Sequence, residues 1–321
     1  MKRSRLAALI LLSVPLSFAA AVYLGSVTFS TEEWRLALRG DAGEAMREIL
    51  WHLRAPRAAS AFACGALLAL AGALLQVLLR NPLADPYILG VSGGASVGAL
   101  GGMWFGVSAW ALHGLAFGGA AITGLALLAF SASLSGWQIH RVMLTGVAIA
   151  AGCSAIVALI LSLAPSGQLH GMLFWLMGDL SFSTNAWPAY AVLFALLALS
   201  QWLALSLDAL NLGDLKAASL GIAVRRTQTL AFLAATVATV AAVLLAGAVG
   251  FVGLVVPHLL RLGGISEHRW LLPLSAAAGG ALLVLADTVA RSIAAPLELP
   301  VGAMTALIGV PVLLALLAKA R

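Results

Sequence analysis

Apolar residues run along this chain in stretches of about twenty, separated by short polar corners. Such runs cover 6–25, 55–79, 88–108, 111–134, 142–164, 187–207, 228–247, 271–290 and 300–318. At 1.5 Å per residue, a run of that length crosses the roughly 30 Å hydrocarbon layer as a helix. A shorter run over Gly250–His258 is interrupted by glycine and by Pro257. The pattern predicts an all-α, polytopic membrane protein of about ten spans in one domain, 1–321.

The polar breaks are as informative as the runs. Segment 28–53 is the longest and mixes acids with arginines; Ala42–Leu53 reads as a short amphipathic helix at a membrane surface. Pro165–Asn185 contains only a brief apolar piece, Met172–Met177, which fits a re-entrant or surface helix. At 80–86 the first long inner run stops, because Pro82 and Pro86 disfavour helix at Asn81 and Asp85. The last long break, 208–227, contains Asp214, Leu215, Lys216 and Leu220, which predict a short two-faced helix ended by Gly221.

Composition agrees. The chain is 62% hydrophobic and 9% charged, against about 25% charged for a soluble domain, so most of its surface must face lipid. The net charge of +6 does not call for nucleic acid. With both termini inside, twelve of the eighteen Lys and Arg fall on inner segments, as the positive-inside rule expects. Lys2, Arg3 and Arg5 before an apolar run could also mark a cleaved secretory signal; the many later spans favour a retained first helix. Cys64 and Cys153 lie in apolar runs and suggest neither a disulfide framework nor a metal site.

One stretch is specific. Gly65, Gly72, Gln76, Arg80, Asn81, Pro82, Leu83, Ala84, Pro86, Leu89, Gly90, Gly94 and Ala95 fit the signature of the FecCD-like permease subunits of ABC importers for haem, ferric siderophores and vitamin B12. The resemblance continues through Gly250–Arg261, through Leu283, Leu285, Ala286, Asp287 and Arg291, and through the Glu298–Pro311 pattern E-x-P-x-G-x-x-T-x-x-x-G-x-P. It departs after Pro311, where the family often has aromatics and this chain has Val312, Leu313 and Leu314.

The resemblance implies a type II importer permease, working as a homodimer in the bacterial inner membrane. Two cytoplasmic ATPase subunits and a periplasmic substrate-binding protein are the implied partners. Segment 28–53 becomes the periplasmic loop and 208–227 the cytoplasmic coupling segment. No phosphate-binding G-x-x-x-x-G-K-[ST] loop occurs in the chain. ATP and Mg are therefore expected on the partner, and no cofactor on this chain. Arg54, Arg57 and Arg291 match the family's docking arginines, and guanidinium suits bidentate carboxylate pairing. On residues alone Arg54 and Arg57 could equally snorkel to headgroups. Asp287 would be neutralised by Arg291 one turn on. Asp214, Leu215, Lys216, Ala217, Leu220 and Gly221 match the ATPase-coupling segment.

The implied pathway runs along the fifth and tenth spans and the re-entrant piece, with Ser154, Met172, Met177, Met304 and Thr305 as candidate contacts. The six histidines show no metal-ligand spacing. His52 and His170 on the outer side tilt the cargo toward haem, with siderophore and B12 as alternatives. Two other classes remain readable. A secondary transporter would show a charged mid-membrane site. An intramembrane serine protease would use Ser92 of Gly90-Val91-Ser92-Gly93 with a histidine base.

Overall fold

The computed structural model describes residues 3–133, 136–137, 139–181 and 185–319. Lys2 and Arg321, two of the inner charges counted above, lie outside the described residues. Among the described residues fourteen α-helices follow in order. They are α1 (Arg3–Tyr23), α2 (Thr31–Leu38), α3 (Glu44–Glu48), α4 (Ala55–Leu78), α5 (Val91–Trp104), α6 (Ala109–Ser131) and α7 (Ile139–Leu163). Then come α8 (Ser166–Met177), α9 (Trp187–Leu210), α10 (Asp214–Ser219), α11 (Val224–Ala246), α12 (Val252–Leu262), α13 (His268–Ala290) and α14 (Val301–Lys319). A two-residue ribbon, Ala132–Ser133 with Gly136–Trp137, closes the corner between α6 and α7.

Seven helices are long and apolar enough to cross a membrane, counted among the described residues. The remaining expected spans are shorter. The run at 88–108 folds as a 3-10 turn, Pro86–Leu89, followed by the fourteen-residue α5. The Gly- and Pro-interrupted run becomes the eleven-residue α12. The re-entrant piece is α8, twelve residues long.

The bundle is built around α4, which is buried along nearly its whole length. Small residues permit this, because they let backbones meet. A Cβ on Gly65 would sit 2.2 Å from the Gly279 carbonyl of α13, and one on Gly72 would sit 1.9 Å from the Gly253 carbonyl of α12. By contrast α7 and α6 leave most of their surface uncovered, including Leu144, Leu159, Leu163 and Ile122.

Segment 28–53 differs from expectation. It holds two short helices rather than one. Ser30 caps α2 in a reciprocal capping box with Glu33, a signal present in the sequence as S-x-x-E. α3 runs directly into a π-helical turn, Ile49–Arg54, which leads into α4. Backbone hydrogen bonding to the Ser30 N–H, then its hydroxyl, holds the Glu33 carboxyl below its ordinary range.

Candidate docking, coupling and translocation sites

Arg57 lies at one end of α4 and Arg80 just past the other, so a 24-residue helix, about 36 Å, separates two polar clusters.

At the Arg57 end four charges compensate one another. Arg57 forks onto Asp287 of α13, with Nε 3.0 and 3.1 Å from the two oxygens and Nη2 2.9 Å from Oδ1. Its Nη1 donates to Glu298 Oε2 at 2.7 Å. Arg291 Nε lies 3.7 Å from Asp287, and its Nη2 donates to the Ala21 carbonyl. Arg54 donates to the carbonyls of Val22 (2.6 Å), Tyr23 (3.2 Å) and Val27, and its guanidinium sits 5.2 Å from the Phe29 ring. Two arginines thus answer the unmet carbonyls at the end of α1, where the helix dipole also favours a cation. Ser181 extends the cluster: its Oγ lies 2.9 Å from Glu298 Oε2 and 2.6 Å from Asp179 Oδ1, and its one proton can be donated to either carboxylate. Glu298 sits in the loop before α14. Burial raises its carboxyl, but the hydrogen bond and charge of Arg57, with Ser181, pull it net below its ordinary range.

Two expectations are corrected here. Arg54 and Arg57 do not stand free at the mouth: Arg54 is 4% exposed, Arg291 6%, and all three guanidiniums find partners inside the chain, although Arg291 Nε itself makes no hydrogen bond. The cause is the supply of carbonyls and carboxylates beside them. Asp287 is paired mainly by Arg57, 230 positions away, and only secondarily by Arg291. Local i,i+4 spacing revealed the weaker partner and could not reveal the stronger.

At the other end, Asp214 opens α10 and accepts from Arg80 Nη2 and from Gln228 Nε2 at 3.2 Å. Ala217 is fully buried beneath α10, whereas Leu215 is 89% exposed, and Leu212, Lys216 and Leu220 are also exposed. Gly221 takes φ +80 and closes the helix with the Gly221 and Ile222 N–H groups bonded to Ala218 and Ala217, a left-handed C-cap. The six expected coupling residues therefore come together on one element and its cap. Arg80 was not among them; it joins the Asn81–Pro86 corner to α10. A second missed cluster lies close by: Gln76 donates to the Gly253 (3.3 Å) and Leu254 (3.1 Å) carbonyls and accepts from Arg261, tying α4 to α12.

The candidate pathway residues do not form one surface. Ser154 is exposed on α7 and Met177 is exposed at the end of α8. Met172 has no exposure and packs with Ala99, Leu100 and Ala116. This corrects its expected place on the pathway: α8 turns that side chain toward α5 and α6. Thr305 is buried, donating to the Gly302 carbonyl at 2.9 Å, and Met304 packs on the main core. Gly302 itself meets the Met177 carbonyl, so the start of α14 is pressed onto the end of α8. His52 lies 3.1 Å from Glu48, and the His170 ring sits tilted against Phe174, centroids 4.6 Å apart.

The fold and both polar clusters can be set beside known proteins. The FecCD transport family matches residues 9–319. The vitamin B12 import system permease protein BtuC of Citrobacter koseri is 38% identical over 324 residues, covering 99% of this chain and 94% of that one. BtuC of Salmonella typhi is 37% identical, covering 98% and 94%. Among solved structures, a metal-chelate type ABC transporter in an inward-facing conformation superposes with a TM-score of 0.86 at 27% identity, covering 98% of this chain and 99% of that one. The matches run over nearly the full length of each chain, and the chain belongs to the FecCD transport family, as the membrane-spanning, non-enzymatic permease subunit of a type II ABC importer.

Proposed function

We propose that the chain carries a vitamin B12-type corrinoid across the bacterial inner membrane, with both termini and α10 on the cytoplasmic side. The observation that carries this is the match to the B12 import permeases over nearly the full length of both chains. It favours B12 over haem, since His52 and His170 each have a local partner. Two copies enclose the path. The little-covered face of α7, with Ser154 among its small residues, is the surface that a second copy and the cargo would share. On each copy a separate ATPase seats the exposed leucines of α10. ATP binding and hydrolysis there would alternate the path between outward- and inward-open states.

A periplasmic binding protein docks at the Arg57 end. Arg54, Arg57 and Arg291 serve it by offering carboxylates a second partner in exchange for their internal bonds. The test is reconstitution in liposomes with the ATPase and binding protein, offering B12, haem and a ferric siderophore. B12-stimulated ATP hydrolysis and uptake requiring all three components supports the reading; stimulation by haem alone overturns the cargo; failure to bind an ATPase overturns the coupling assignment.

A further inference from the structure

In the loop between α13 and α14, Glu298 reaches in two directions. Its Oε2 accepts from Arg57 Nη1 at 2.7 Å and lies 2.9 Å from Ser181 Oγ. Beside it three helix ends meet. The Val301 N–H donates to the Gly178 carbonyl at 3.0 Å, joining the start of α14 to the end of α8. The Asp179 N–H donates to the Ala246 carbonyl at 2.9 Å, joining α8 to the end of α11. A Cβ on Gly302 would sit 2.2 Å from the Met177 carbonyl and 2.8 Å from the Ala248 carbonyl, so the junction has no slack. Glu298 therefore ties the meeting point of α8, α11 and α14 to Arg57 on α4.

The two carboxylates on Arg57 are not equally easy to displace. Asp287 takes the Nε–Nη2 edge of the guanidinium, and its side chain is 3% exposed. Glu298 takes Nη1, and its side chain is 37% exposed. Removing one partner of a buried pair costs far more than parting a pair that water already reaches. The charge count points the same way. Arg57 and Arg291 balance Asp287 and Glu298. A third carboxylate would add an uncompensated charge to this half-buried cluster, whereas exchange for Glu298 keeps the balance. We propose that Glu298 occupies the seat on Arg57 that an acidic side chain of the periplasmic binding protein takes on docking. Docking then releases the loop before α14 and loosens its junction with α8 and α11. Resting on the docking reading above, this names the internal bond that is given up and what its loss frees.

The test combines hydrogen exchange and binding affinity on the full chain, assembled with its ATPase in nanodiscs, with the binding protein used for reconstitution as the probe. Docking should raise exchange in the peptides that carry the Asp179 and Val301 amides. In E298Q those peptides should exchange fast before the binding protein is added and gain nothing from it. The binding protein should also hold E298Q about threefold tighter, the scale of an exposed ion pair. E298D keeps the charge but shortens the reach to Arg57, so it should behave as E298Q does. Tighter binding in E298Q with E298D matching the parent chain would make the effect general repulsion and overturn the proposal. A binding protein that docks without changing exchange in either peptide, or that binds E298Q no tighter, overturns it and leaves docking standing. No binding to the parent chain overturns the docking reading itself, and the exchange of partners with it.

Discussion

The two ends of α4 solve opposite problems. At the Arg57 end, guanidiniums that could face outward are folded back onto Asp287, Glu298 and the last carbonyls of α1. At the α10 end, Asp214 is tied down by Arg80, but Leu212, Leu215 and Leu220 are left bare. The first end spends its polar groups on itself; the second keeps an apolar contact unspent. Charges are the costlier groups to leave unpaired in low dielectric, whereas a bare leucine at a membrane–water boundary costs far less. An end that closes by itself confers rigidity and can take a partner only by exchanging internal bonds, whereas an end left open can take one directly.

The largest effect should come from breaking the closed end. Arg57→Gln leaves Asp287 buried with only Arg291 at 3.7 Å, and removing one partner of a buried pair costs about 3–5 kcal/mol. Thermal unfolding in detergent should drop steeply, and an unshifted midpoint would mean the cluster is not structural. Leu215→Ala should do the reverse. Stability should stay within about 0.5 kcal/mol of the parent, while ATPase affinity falls by about 2 kcal/mol, the scale of burying a leucine; a pull-down and a melting curve on the same sample decide it. Gly221→Ala should lie between, at about 1 kcal/mol, because φ +80 is strained for any Cβ-bearing residue. It should lower both stability and ATPase coupling.

The smallest effect is one of pH. Glu298 has a depressed carboxyl, so its bond to Arg57 contributes fully above the ordinary value of 4.5 and is lost as pH falls through the lowered value. Glu298 is over a third exposed, so screening keeps the contribution small. Hydrogen exchange near residues 178–181 and 296–300 should rise on acidification in the parent chain. In Glu298→Gln it should be high throughout, and equal acid response in both would remove Glu298 as the cause.

Much of this was legible in sequence because membrane helices announce themselves by length and polarity. The Gly65–Ala95 signature marked α4 and its corner, and Gly221 marked the end of α10. What stayed hidden was long-range pairing. Nothing in the spacing of Arg57 points to Asp287, or of Gln76 to Arg261; such partners follow from which helices cross. The burial of Met172 was hidden for the same reason, since a short apolar helix shows its composition but not which neighbour covers it. The α2 capping box, by contrast, was written in the sequence and readable there.

The glycine contacts of α4 also bear on how the protein is made. Gly65 meets Gly279, which is synthesised 214 positions later. At roughly 5–20 residues per second, the ribosome reaches that partner about 10–40 s after α4 has emerged. During that interval the Gly65 face of α4 must remain in the bilayer without the backbone that it is shaped to meet. The hydropathy of α4 therefore serves first to keep an incompletely covered segment inserted, and only afterwards as the core of the finished bundle.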